Sequence, residues 1–411
     1  MATIALNWEL GAALGHVGRY LPIALRLRER GHRPVLVLRD ISQAAAVLAP
    51  HRLEFVQAPV WLIPVTGLPP DLNFTETLYR FGFLDPGGLL SMTMAWRRLW
   101  ELLQPQLLIF DHAPTALLAA RGLHVPRVLL GNSFAVPPRV RPLPRFRWWT
   151  RGQSEHGRLA ETEERTTRHC NVVLKQLEAP PIAQVADLFE AEATYLCARP
   201  QLDVYGERQA GQGGEYIGPI NSLGMGADPL WPAGDGPRVF AYLKSDYKHL
   251  EPLLGALAKS RARCLIYAGG LPEQVRKRHE SERIAFSATP LRMSEVVKQC
   301  AAIICHAGGM TDIALDHGKP LLLLPMQMEQ TMTSHRVELL GAGVLFPIEA
   351  VPGLLPKLVK RLVDDVSLAA AAAGYAAGVP NVDQSLAVQR VIDGCEALLA
   401  DARGVAPQEP A

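Results

Sequence analysis

The chain has 411 residues, nearly half hydrophobic and a fifth charged, a globular composition too long for one ordinary core, so two domains are expected. A formal net charge of +2 argues against a general nucleic-acid binder, whose footprint is a strong basic excess. Six scattered cysteines without a Cys-x-x-Cys pair argue against a disulfide framework and a cysteine zinc site, and suit a reducing cytosol.

The start reads as strand, loop, helix, strand. Thr3 to Asn7 is a short apolar run, Glu9 to Gly18 is punctuated by glycine, and Tyr20 to Arg30 places Leu21, Ala24, Leu25 and Leu27 on one helical stripe. Pro22 suits a first helical turn and Gly31 a helix end. Val35 to Leu38 then reads as a strand buried on both faces of a parallel sheet. The unit recurs with Leu107 to Phe110 as strand, Thr115 to Arg121 as helix and Arg127 to Leu130 as strand. No opening basic and apolar leader is evident, and no apolar run approaches the ~20 residues of a bilayer span. The expectation is a cytoplasmic protein, at most peripheral to a membrane.

Arg139 to Arg151 is a basic-aromatic tract without an acid. It reads either as a solvated loop with a few packed aromatics or as an acceptor-site or membrane-surface loop. Gln153 to Leu177 reads as a charged, mostly exposed helix, and Asn221 to Pro237 as a Gly/Pro-rich linker. Beyond it Val239 to Leu243, Cys264 to Ala268, Ala302 to Cys305 and Leu321 to Leu324 read as strands separated by helices. Alternating strands and helices on both sides of one linker imply two doubly wound α/β domains, with ligands at the carboxyl ends of the strands. The expected boundaries are 1–220 for the first domain, 221–236 for the linker and 237–380 for the second domain. A C-terminal helix over 381–401 and a frayed tail over 402–411 complete the chain.

His306, Ala307, Gly308 and Gly309 form the loop between the strand ending at Cys305 and a helix over Thr311 to Asp316. Glycines there let backbone N–H groups approach an anion, and His306 can donate to the same group. The alternative is a plain tight turn. Glu329 and Gln330 follow the next strand on the same edge, where a carboxylate beside an amide matches vicinal hydroxyls. They also suit an exposed helix start. Together the two loops fit a nucleotide diphosphate joined to a sugar. Gly11, Gly15 and Gly18 do not spell a Gly-x-Gly-x-x-Gly dinucleotide site, and no Asp-x-Asp pair occurs to hold a metal.

This segment resembles the donor motif of the UDP-glycosyltransferases of the GT-B fold, carried by His306, Gly308, Thr311, Ala314, Leu315, Gly318, Pro320, Glu329 and Gln330. Tyr216 to Ile220 resembles the family's run before the interdomain linker. Gly15-His16-Val17 and Arg30-Gly31-His32 resemble its opening. The resemblance implies two Rossmann-like domains facing a cleft, an N-terminal acceptor domain and a C-terminal nucleotide-sugar domain. It implies His16 as general base and Asp111 as the carboxylate that orients it; their alternatives are a capping or packing histidine and a helix N-cap. His112, beside Asp111, reads as a weaker candidate or as a surface residue. Ser245 falls where the family has a phosphate-contacting hydroxyl, Gly309 and Thr311 complete the phosphate loop, and Glu329 and Gln330 hold the sugar.

Two positions depart from the family pattern. The helix after Thr311 is one residue short, so Ala314 stands at the count of the ribose-binding Glu, with Asp312 and Asp316 as alternatives. Ala288 to Arg292 stands where a base-stacking Trp motif is usual. The expectation is an inverting, metal-independent hexosyltransferase with a nucleotide diphosphate sugar as co-substrate and no further cofactor, UDP by default and TDP as the alternative. Its acceptor is a small apolar or lipid-like molecule, walled by Pro59 to Phe83 with Trp61, Phe74, Tyr79 and Phe81; ordinary core packing is the alternative reading of these aromatics. The rival expectations are a hydrolysing nucleotide-sugar epimerase and a non-catalytic nucleotide-sugar-binding partner protein.

Overall fold

The computed structural model describes residues 1–11, 15–42, 44–150, 155–220, 226–379 and 383–404. The chain divides into two compact units, Met1–Ile220 with Asp383–Ala411, and Asn221–Val382. Each is built on a parallel sheet, because its strands are continuous apolar runs joined through helical crossovers.

The strands of the first unit are β1 (Thr3–Trp8), β2 (Arg33–Leu38), β3 (Glu54–Gln57), β4 (Leu107–Asp111), β5 (Arg127–Gly131), β6 (Ala193–Leu196) and β7 (Glu215–Tyr216). They lie in the order β3-β2-β1-β4-β5-β6-β7, with Ile4 opposite Pro34 on one side and Leu107 on the other. The second unit holds β8 (Arg238–Lys244), β9 (Arg263–Gly269), β10 (Ile284–Ser287), β11 (Ala302–Cys305), β12 (Leu321–Leu323) and β13 (Gly343–Leu345), ordered β10-β9-β8-β11-β12-β13. In each sheet the strand order reverses between the first strand and its fourth, β1 beside β4 and β8 beside β11. That crevice, at the carboxyl ends, is where doubly wound sheets bind ligands.

The first helix runs Gly15–Glu29 rather than from Tyr20. Two expectations change with it. Pro22 lies inside the helix, where its missing N–H leaves Gly18 without the usual bond, and His16 sits in the first turn instead of in a preceding loop. The buried face of Val17, Tyr20, Leu21, Ala24 and Leu27 packs with Ile4, Leu6, Trp8 and Leu36 of the sheet.

The helix Gln384–Gly404 closes the same core with Val391, Ile392 and Cys395, none of them exposed to solvent. Arg390 adds a bidentate ion pair to Glu215, both contacts 2.8 Å. The C-terminal helix therefore belongs to the first unit and runs to Gly404. The rest of the expected tail, 405–411, lies outside the described residues, as do Arg151, Gln153 and linker positions 221–225.

The helix His156–Gln176 is not mostly exposed: Leu159, Thr162, Glu163, Thr166, Cys170, Val173 and Leu174 line its buried face. Glu163 is only 1% exposed yet accepts from Thr75 Oγ1 and the Val185 N–H, so its charge is hidden in the interior by hydrogen bonds. The described part of the basic-aromatic tract, 139–150, is folded into the unit. Leu143 and Phe146 are buried, the Phe146 N–H donates to Leu72 O, and Arg139 and Arg145 pair with Glu190 and Glu155. Arg139 and Arg145 are thus tied to carboxylates of the unit itself. Among the described residues no helix is long and apolar enough to cross a membrane.

Candidate active site

Trp8 and Asp111 end the neighbouring strands β1 and β4 and are paired in register. The Asp111 side chain has no solvent exposure, and its Oδ2 lies 2.8 Å from His16 Nδ1 and 2.5 Å from Arg19 Nη1. Its Oδ1 has no hydrogen-bond partner. Burial alone would raise this carboxyl, but the Arg19 guanidinium and then His16 outweigh it and hold it down at about 2. The carboxylate is therefore ionised across the working range. A proton on Nδ1 donates to this carboxylate, which selects the tautomer with its lone pair on Nε2.

Packing holds the ring at this angle. Trp8 stacks on His16 with centroids 5.0 Å apart and planes 19° apart. On the other edge, a Cβ on Gly11 would come within 2.7 Å of His16 Nε2, and Gly11 has φ +93°. Only glycine satisfies both the left-handed backbone and the closeness of that nitrogen.

The N-cap alternative for Asp111 is corrected. Asp111 ends β4, and the helix Pro114–Ala120 is met instead by Glu9, whose Oε2 accepts from the N–H groups of Thr115 and Ala116 at 2.9 and 3.2 Å. Burial is the dominant influence on Glu9 and pushes its carboxyl up to about 7, against those N–H donors, which pull it down. His112 is not a surface residue either. It is 8% exposed, carries φ +50° and sits among Phe74, Phe134 and His16 at centroid distances of 5.8, 6.1 and 5.9 Å. Burial, then the nearby His16, pushes it down to about 3, so it is a neutral ring. Sequence reasoning also misses Arg19. The signal for it is the i, i+3 spacing from His16, which has meaning only once the helix begins at Gly15.

In the second unit, His306 follows β11 and is 6% exposed. Its Nδ1 lies 2.7 Å from Leu324 O, and its Nε2 accepts the Lys244 N–H at 2.9 Å. The imidazole thus ties the ends of β8, β11 and the strand after it. This corrects the expectation of a phosphate donor: the one N–H of the neutral ring is spent on Leu324. What opens outward is the loop itself. Ala307 takes φ +54°, and a Cβ built on Gly308 would meet nothing within 4 Å. Gly309 caps the helix Met310–Asp316, and Thr311 is buried with no partner for Oγ1. Ser245 lies in the turn after β8, where a Cβ on Gly270 would be 3.5 Å from its Oγ. Glu329 and Gln330 open the helix Met328–Leu339, and Gln330 Oε1 accepts the Met326 N–H at 2.7 Å. That bond folds the strand-to-helix loop and commits the amide oxygen to it. Ala314, at the count of the ribose-binding Glu, is fully buried. Among the described residues no cluster of three or more His, Cys, Asp or Glu is placed to hold a metal ion.

Of the expected acceptor wall, Phe74 and Tyr79 belong to the core. The Trp61 ring lies against Gly82 and Gly88, where a Cβ would come within 2.7 and 2.6 Å of it. The apolar side chains left exposed in this stretch are Leu62 and Ile63.

Known proteins resemble this chain in part of its sequence and in its fold. Residues 271–386 match the family model of the C-terminal domain of erythromycin biosynthesis protein CIII-like proteins. The donor-motif resemblance read from the sequence is borne out there. The curated 3-alpha-mycarosylerythronolide B desosaminyl transferase of Saccharopolyspora erythraea is 35% identical over 83 residues, 20% of each chain. The match thus spans about a fifth of that relative. Among solved structures, CalG4, the calicheamicin glycosyltransferase, superposes with a TM-score of 0.72 over 99% of each chain at 19% identity. The spinosyn rhamnosyltransferase SpnG complexed with thymidine diphosphate gives 0.66 over 96% of this chain and 100% of that one, at 18% identity; it is also known complexed with spinosyn aglycone. The fold is GT-B, as expected.

Proposed function

We propose that the chain is an inverting, metal-independent glycosyltransferase that moves a hexose from a nucleotide diphosphate sugar to a hydroxyl of a small apolar acceptor. The observation that carries this reading is the His16–Asp111 pair at the switch point of the first sheet. His16 Nε2 takes the proton of the acceptor hydroxyl as its oxygen attacks the anomeric carbon, and Asp111 stabilises the imidazolium that forms. Inversion follows from a single displacement, with the base removing a proton from the nucleophile and no covalent sugar-enzyme intermediate.

The leaving diphosphate is received by the loop Ala307–Gly309 and Ser245, with His306 fixing the loop and backbone N–H groups neutralising charge in place of a metal. Glu329 is the sugar-hydroxyl acceptor, and the Gln330 amide nitrogen supports it. The donor nucleotide is TDP or UDP; the thymidine diphosphate bound by a protein of the same fold supports TDP. Exposed Leu62 and Ile63 support an apolar acceptor. Cytoplasmic action is part of the proposal, supported by six cysteines that are all buried as thiols.

The test is incubation with TDP- and UDP-hexoses and a panel of hydroxylated macrolide-type aglycones, with products read by mass spectrometry. Expected is transfer that survives EDTA and falls by about 10²–10⁴ in His16→Ala. Transfer that His16→Ala leaves unchanged overturns the base assignment. Donor turnover without any acceptor points to the epimerase instead, and donor binding with no turnover to the non-catalytic partner protein.

A further inference from the structure

His16 and Arg19 are one turn apart on the helix Gly15–Glu29, and both reach the same oxygen of Asp111. The arrangement is asymmetric. Oδ2 serves two partners while Oδ1 serves none, and Arg19 Nε is likewise without a partner. A guanidinium seeking the strongest bond to a carboxylate would take both oxygens in a fork. Here one Nη1 contact suffices, and the arginine is held over the oxygen that the imidazole uses.

The charge balance of the pocket explains why that placement matters. A carboxylate alone beside an imidazole favours the cation, which has already taken its proton and cannot act as a base. A fixed positive charge on the same oxygen offsets that pull while leaving the oxygen as the acceptor that selects the tautomer. The side chains of Arg19 and Asp111 are 13% and 0% exposed, so water screens this balance little. Other titratable groups face the cluster. His112 from the end of β4 is pushed towards its neutral form, and Glu9 after β1 is raised to about 7. Arg39 donates to the Glu9 carbonyl oxygen, Tyr20 donates to Asn7 O, and Cys197 lies just beyond β6 near Arg19. Arg19 is the one cation bonded to Asp111 among these groups, so the offset belongs to it.

We propose that Arg19 is a positioning residue for the base: it anchors the Asp111 carboxylate and offsets its charge, so that His16 is held in the reactive tautomer without being held as the cation. This rests on the reading of His16 as the base, and the experiment separates the two. The His16 ring resonances, assigned by their loss in His16→Ala, are titrated by NMR in the wild-type chain, Arg19→Lys, Arg19→Gln and Arg19→Met. Expected is a titration that stays with wild type in Arg19→Lys, which keeps the charge, and moves to higher pH in both Arg19→Gln and Arg19→Met.

Arg19→Gln keeps a hydrogen-bond donor, so a merely anchoring role predicts that it titrates as wild type; that result overturns the proposal. It also answers if Arg19→Met fails to fold. Superimposable titrations across all four chains overturn it as well. The titration needs no substrate, so a failure of the glycosyltransferase reading shows separately, as transfer indifferent to His16→Ala.

Discussion

Asp111 has no neutral substitute that satisfies both of its partners. Asp111→Asn keeps the shape but presents either an N–H toward His16 Nδ1, which selects the wrong tautomer, or a weaker acceptor toward Arg19. Turnover is expected to fall by about 10³–10⁴ with little change in donor affinity, read as kcat against KM. Asp111→Ala goes further and leaves the buried Arg19 charge unpaired, at about 3–5 kcal/mol in chemical denaturation. Gly11→Ala tests the other face of the ring. A methyl 2.7 Å from His16 Nε2, on a residue at φ +93°, is expected to abolish transfer while nucleotide binding by the second unit persists. Wild-type turnover in that variant would mean that Nε2 is not the reacting atom.

The elements explain which parts of this site can be read from sequence. β1, β4, β8, β11 and β12 are apolar runs, and Gly11 after β1, His112 after β4 and His306 to Gly309 after β11 announce the loops at their carboxyl ends. The edge strand β3 (Glu54–Gln57) escapes because only its middle residues are half-buried, and β7 because it is two residues long. The first helix is misplaced because glycines at 15 and 18 look like a loop, and that error conceals Arg19. Glu9 and Glu163 look like surface charges in sequence; only the fold shows N–H groups and hydroxyls waiting for them.

Glu9 makes a prediction about pH at this scale. Its carboxyl sits at about 7 in the folded chain and near 4.3 unfolded. Over that interval the unfolded chain has lost a proton that the folded chain keeps, so stability falls as pH rises from about 4 to about 7. Glu9→Gln is expected to flatten this slope in melting temperature between pH 5 and 8. Asp111 works in the opposite sense: its lowered carboxyl stabilises the fold above about pH 4, and that contribution is lost as pH falls towards 2.

At the scale of the whole molecule, the chain leaves its first unit at Ile220 and returns to it at Asp383. The last helix is structural for the unit that holds His16. Ile392→Ala is expected to cost about 2–4 kcal/mol and to raise hydrogen exchange along the helix Gly15–Glu29, against which residues 384–404 pack. Unchanged exchange there would mean that the helix is dispensable. The helix itself is legible near 381–401, but the unit it covers is invisible to composition or periodicity, because nothing local to it carries that information.

The two units have different tasks in this account, and the second is the more directly testable. Calorimetric titration of TDP and UDP into the wild-type chain, His16→Ala and Gly308→Leu isolates the donor loop from the chemistry. The account predicts saturable binding of one nucleotide to the wild type, unchanged in His16→Ala and weakened at least tenfold, or about 1.4 kcal/mol, in Gly308→Leu. The leucine fills the open space in front of the loop, where a Cβ meets nothing within 4 Å. Binding of neither nucleotide, or binding indifferent to Gly308→Leu, would contradict it.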